Sequence, residues 1–164
     1  MFFFDDFIKK IEKTKIEYQP LRKYGLEMKK KIVWLGTGLP LILIGVLQGY
    51  MGYLKNFSIP YIAIAALLLF LGLKHLKNLF SYKIIIDSEH KKIIGQELNL
   101  HFDEIESCTL KEAIVGKGNR LQVIIRILTK DKREIIIPLI MNKKIEFICV
   151  LRDELKERFQ IIKG

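Results

Sequence analysis

The chain has 164 residues, a formal charge of +10 and 50% hydrophobic residues. Its mean hydropathy is +0.19 although 28% of its residues are charged, so charge and apolarity have to be segregated along the chain. They are: neither Val33–Tyr53 nor Asn56–Leu73 contains a charged residue, which excludes an evenly basic globular domain and points to a membrane protein with soluble flanks.

Residues 1–31 form a basic N-terminal segment. Phe4, Phe7, Ile8 and Ile11 fall at helical spacing among Lys9, Lys10, Glu12 and Lys13, the pattern of a short amphipathic helix. Two placements are open: in a membrane interface, with Phe2, Phe3 and Phe4 dipping into the acyl boundary, or against the protein's own β domain. Asp5 and Asp6 behind the first aromatics argue against a signal peptide, and Gln19-Pro20 predicts the end of the helix.

Residues 32–76 read as a transmembrane hairpin with spans over about 32–54 and 59–76. About 20 apolar residues suffice to cross a hydrocarbon core as a helix, and a helix satisfies its own backbone in lipid. Pro40 lies a third of the way along the first span. Pro60 suits the first turn of the second, and Lys55-Asn-Phe-Ser58 between them allows only a tight turn. Gln48 is the only strongly polar side chain within the first span, and no ionisable group sits mid-span, which disfavours an ion-coupled transporter.

The first span is crowded with Gly36, Gly38, Gly45, Gly49 and Gly52. Gly45 and Gly49 have the GxxxG spacing that lets two helices approach closely. With Gly52 they form either a groove for the second helix or a surface for homo-oligomerisation. Arg22, Lys23, Lys29, Lys30 and Lys31 precede the first span and Lys74, Lys77 and Lys83 follow the second, whereas the connecting loop offers only Lys55. The positive-inside rule then predicts both termini in the cytoplasm, with Tyr50, Tyr53, Phe57 and Tyr61 as an aromatic belt at the far interface.

Residues 80–164 read as a cytoplasmic β domain with a C-terminal helix. Runs at 82–86, 92–94, 105–114, 121–129 and 134–139 predict five or six strands of an antiparallel meander, with turns at Gly116–Asn119 and Lys130–Lys132. In the fourth run Leu121, Val123, Ile125 and Ile127 share one face, but Ile124 and Leu128 make the other face partly apolar too. Ile148, Leu151, Leu155 and Phe159 predict a helix over 142–160, with Asn142 as its N-cap and its apolar stripe closing one end of the sheet. Cys108 and Cys149 lie in apolar stretches and read as buried, reduced thiols; a cytoplasmic location disfavours a disulfide.

The order of hairpin, meander and closing helix over about residues 30–160, with Phe102-Asp-Glu-Ile105 at the entry to the middle strand and Ile137-Pro138 before the helix, resembles bacterial two-span membrane proteins with a pleckstrin-homology-like (PH-like) domain. That resemblance implies an α+β membrane protein of a bacterial cytoplasmic membrane: a two-helix hairpin, then a PH-like meander or partial barrel capped by a helix. It implies no reaction. The hairpin Asp87–Lys92 corresponds to the lipid-reading loop of eukaryotic PH domains, but it sets two acids against two lysines, so head-group binding is not carried over.

Residues 74–164 hold 18 Lys and Arg against 13 Asp and Glu. Lys117, Arg120, Arg126, Lys130, Lys132 and Arg133 gather in one double hairpin, a candidate anion site in which arginine is the better phosphate reader; the plainer reading is a solvated basic face beside anionic lipid. Nucleic acid is disfavoured, since no aromatics interleave with these cations. Gly116-Lys-Gly118 lacks the context of a phosphate loop. His75, His90 and His101 have no metal-ligand spacing, and His101 with Asp103 on one side of an extended strand lacks a nucleophile. No catalytic, metal or cofactor site is expected. Two functions are expected instead: a non-catalytic membrane-anchored module that binds a protein partner, or an oligomeric membrane effector or sensor, of the sort used in antiviral defence, gated by a nucleotide or other anion.

Overall fold

The computed structural model describes residues 2–95, 98–114 and 121–162, apart from the side chains of residues 2 and 3. The chain divides into two compact units, residues 26–82 and the combination of residues 1–25 with 83–164.

The first unit is a helical hairpin, α2 (Met28–Leu54) and α3 (Ile59–Ser81). Both helices are long and apolar enough to cross a membrane. They meet through buried positions spaced by seven: the small residues Gly38, Gly45 and Gly52 on α2, and Ala65, Gly72 and the larger Leu79 on α3. A seven-residue repeat keeps one seam facing its partner along shallowly crossed helices. At the tip the chain reverses through Asn56 and Phe57, both left-handed at φ 50° and 58°. Lys55 Nζ donates to the Tyr61 hydroxyl at 2.6 Å and lies 4.4 Å from that ring's centroid, and Tyr53 meets Phe57 edge to face.

The second unit holds eight strands among the described residues. β1 (Leu21–Gly25), β2 (Lys83–Asp87), β3 (Lys92–Ile94) and β4 (Asn99–His101) form one sheet in that order, antiparallel throughout. A 3-10 turn at Phe102–Glu104 leads to β5 (Ile105–Ile114), which with β6 (Leu121–Thr129), β7 (Glu134–Pro138) and β8 (Phe159–Ile161) forms a second sheet ordered β7-β6-β5-β8. β8 runs parallel to β5. Alternation places Ile84, Ile86, Ile93, Leu100, Cys108, Leu110, Ile125 and Ile127 in the core. Helix α4 (Lys144–Leu155) adds Phe147, Ile148, Leu151 and Leu155, and the Phe147 ring meets Tyr24 of β1 edge to face at 5.1 Å. Helix α1 (Phe2–Lys13) also belongs to this unit. Its apolar stripe, Phe4, Ile8 and Ile11, is buried. Arg152 of α4 donates from Nη1 to the Ile11 carbonyl at 3.1 Å, a cation satisfying one of the orphan carbonyls at a helix C-terminus. Of the two placements open for this helix, its stripe takes the one against the folded unit.

Four local differences from the sequence-based expectations have physical causes. Residues 21–25, expected as part of a basic prelude, are β1: Arg22 points inward with Tyr24, so the alternation is masked by a buried charge. Asn142 does not cap α4. Lys143 precedes the helix in left-handed geometry, while Asn142 Oδ1 accepts from the Gly25 N–H at 2.9 Å and the Asn142 N–H donates to the Gly25 carbonyl at 2.8 Å. The helical pattern to 160 ends early, because Lys156 turns left-handed at φ 49° and frees Phe159–Ile161 for β8. Residues 102–104 are coiled rather than extended, so the strand geometry assumed for His101 and Asp103 does not hold.

The Lys130–Lys132 turn forms as expected, with the Lys132 N–H donating to the Thr129 carbonyl at 2.8 Å. The Gly116–Asn119 turn lies outside the described residues.

Candidate functional site

The glycines named from the sequence divide by what surrounds them. A methyl on Gly45 would lie 3.1 Å from the backbone nitrogen of Leu69, and one on Gly52 3.1 Å from Tyr61 Cβ. One on Gly72 would lie 2.6 Å from Ile42 Cγ1 and 3.3 Å from the carbonyl oxygen of Gly38. Gly45 and Gly52 are therefore occupied by the hairpin's own second helix. Gly49 meets only Ala65 Cβ, at an ordinary 3.6 Å, and Gly36 faces open space.

The predicted basic cluster is not brought together as a set of free cations. Lys117 and Arg120 lie outside the described residues. Arg126 on β6 makes a two-point contact with Glu134 on β7, Nε to Oε1 at 2.7 Å and Nη2 to Oε2 at 3.0 Å. Arg133 pairs with Asp131, whose carboxylate also accepts from the buried Thr129 hydroxyl. The Thr129 hydroxyl and Arg133 together hold Asp131 below the usual carboxylate range. Lys130 opens onto a shallow depression of about 370 Å³ shared with Asp103, Glu104, Asp131 and Arg133, a rim with three carboxylates and two cations.

Among the described residues the most deeply set charge is one that the sequence pattern did not single out. Arg22 is 5% exposed and donates from Nη2 to the Glu17 carbonyl. Its Nη1 lies 3.5 Å from Glu146 Oε1 on α4, an oxygen that also accepts from the Tyr24 hydroxyl at 3.5 Å. Lys143 Nζ stands 3.7 Å from the other oxygen. Burial, followed by the Glu146 charge, pushes the Tyr24 phenol up to about 12, so it stays a neutral donor. Two open clefts flank this node. One, of about 200 Å³, has Gln19, Ser88, Asp153 and Glu154 on its walls; the other, of about 270 Å³, has Thr14, Lys15 and Lys143. Arg22, Tyr24 and Glu146 link β1 to α4, and an ion pair so placed is weak evidence for added stability.

The histidines are dispersed. His90 Nδ1 contacts Asp87 at 2.9 Å, and the His90 backbone N–H is the main cause of that carboxyl's lowered pKa. His75 Nε2 lies 3.0 Å from both the Trp34 carbonyl oxygen and Thr37 Oγ1 between α2 and α3. The His101 N–H donates to Glu104 Oε2. Among the described residues no three His, Cys, Asp or Glu side chains converge as metal ligands. Cys108 and Cys149 are free and buried, and burial pushes the Cys108 thiol up to about 12.

No protein-family model, curated protein or solved structure matches this chain. The only signal for Arg22 and Asn142 in the sequence is positional: one lies in a five-residue alternation, the other between a strand and a helix.

Proposed function

We propose that the chain is a membrane-anchored PH-like module that binds a protein partner at a bacterial cytoplasmic membrane, without catalysis and with both termini in the cytoplasm. The reading rests on one observation. The β1–β2 ladder ends at the pair Gly25 and Lys83, and the polypeptide between those residues is the long apolar hairpin. The two helices are thus an insertion in a β-hairpin, and paired strand residues lie only about 5 Å apart. Asn142 holds the Gly25 backbone through two hydrogen bonds, one to its side-chain oxygen and one from its own N–H, so the end of β1 is fixed within the folded unit. Two four-stranded sheets with a helix packed into the core support the PH-like part of the reading. The surface offered to a partner is the far end of β5 and β6. There the ribbon runs beyond β7 and β8 and leaves Ile114 and Leu121, a register pair, 59% and 68% exposed.

The oligomeric, anion-gated effector is the weaker reading, because Gly45 and Gly52 are used within the hairpin and Arg126 and Arg133 are paired with carboxylates. The test is alkaline carbonate extraction of membranes carrying the full chain, followed by photo-crosslinking from position 121 and, as control, from Tyr18. The expected result is retention in the membrane and a protein adduct specific to position 121. A freely soluble chain, or equal adducts from both positions, overturns it.

A further inference from the structure

The two helices of the hairpin start level at the tip but carry charge at different heights. Going back from the tip, α2 has no charged residue from Leu54 to Ile32, 23 residues, or about 34 Å of helix. α3 is uncharged only from Ile59 to Leu73, 15 residues, or about 22 Å. Lys74 and Lys77 therefore stand well inside the height that α2 leaves apolar, and a hydrocarbon core is about 30 Å thick.

Both lysines are exposed. Spaced by three, they share a face of α3, and by helical rotation that face lies opposite the buried Ala65, Gly72 and Leu79. It is the face that Leu67 and Phe70 present outward, 57% and 62% exposed.

Snorkelling does not resolve the mismatch easily. Helical side chains lean toward the N-terminus, which in α3 is the tip, away from the near interface. The structure has that lean: Lys74 Nζ lies 6.0 Å from the centroid of Phe70, one turn nearer the tip. Two like charges three residues apart repel, and among the described residues neither lysine is in a salt bridge with a carboxylate. An anion between them would offset the repulsion between the two charges.

We propose that the outward face of α3 draws in the headgroup of an anionic phospholipid, with Lys74 and Lys77 on its phosphate and Phe70 and Leu67 along its acyl chains, thinning the bilayer locally on that side. The proposal rests on the chain being anchored in a membrane.

The test uses the full chain in nanodiscs of phosphatidylcholine with graded phosphatidylglycerol, read by native mass spectrometry. A Lys74→Gln/Lys77→Gln variant is compared with a Lys29→Gln/Lys30→Gln control. The first pair is expected to weaken phosphatidylglycerol retention roughly tenfold or more, and severalfold more than the control pair, whose lysines flank the first span and are drawn to anionic lipid only as a surface charge. Excess inorganic phosphate should leave the lipid bound. Equal losses in both variants, no preference over phosphatidylcholine, or displacement by free phosphate would overturn the proposal. Because the two lysines lie away from the helix seam, the variant keeps the hairpin, which circular dichroism checks. If the wild-type chain washes out of vesicles with carbonate, the membrane reading fails instead, a result distinct from loss of lipid selectivity.

Discussion

In the helical hairpin, α2 and α3 come together where side chains are nearly absent, at Gly38, Gly45, Gly52 and Gly72. In the β unit the space between sheets and helix is filled by large side chains, with Tyr24, Phe102, Leu110, Ile125 and Phe147 all essentially inaccessible. The contrast is the one that the proposed membrane hairpin beside a water-facing unit predicts. In water, apolar burial drives association and large residues gain most from it. In lipid that drive between helices is missing, so close backbone approach and dispersion must serve. One unit should therefore fail when side chains are removed, the other when they are added.

The largest effect is expected in the β unit. Phe147→Ala should cost about 3–5 kcal/mol, measured by denaturant unfolding of the full chain in detergent and tracked by near-UV signals. The mirror experiment is Gly72→Leu, where the added atoms meet Ile42 and the Gly38 carbonyl. Overpacking of this kind costs on the order of 1–3 kcal/mol or more, read as easier separation of α2 and α3 in SDS titration. Gly36→Leu, into open space, should change nothing measurable, and an equal loss there would break the seam argument.

Removing the tie at the hairpin's exit is the next step down. Asn142→Ala removes the side-chain acceptor of the exposed Gly25 N–H and should cost roughly 0.5–1.5 kcal/mol, with hydrogen exchange rising first in β1. The pH dependence is smaller near neutrality and carries a definite sign. The Cys108 thiol is raised from 9.0 to about 12 by burial, so the folded unit favours the neutral form. Its contribution is whole below pH 9 and falls between about 9 and 12, by about 1.4 kcal/mol per pH unit from this site. Cys108→Ala should flatten that part of the stability profile. Glu134→Gln, at a pair about two-fifths exposed on each side, should shift stability by less than about 1 kcal/mol.

The apolar runs of the two helices were legible because they contain no charge, and most strands because their alternation is clean. β1 was not, because Arg22 occupies an inward position, where the Glu17 carbonyl and the carboxylate of Glu146, 124 residues away, face its guanidinium. The glycines were legible as a packing surface but not as to its direction. GxxxG spacing draws the eye to Gly45 and Gly49, whereas the seam uses the interval of seven and leaves Gly49 loosely packed. The predicted anion cluster illustrates the same limit: the charges of Arg126 and Arg133 are visible in the sequence, but their neutralisation by Glu134 and Asp131 depends on strand pairing and turn geometry.

By itself the sequence determined the features that local composition dictates: two helices of membrane-crossing length, a sheet-forming region, and an apolar stripe on the last helix. These are properties of consecutive residues and of the periods at which they repeat. Only the tertiary structure decided that the hairpin is inserted between β1 and β2, that α1 spends its apolar stripe on the folded unit, and that Asn142 clamps Gly25 instead of capping a helix. Each of these depends on contacts between residues far apart in the chain, whose energies no local pattern encodes.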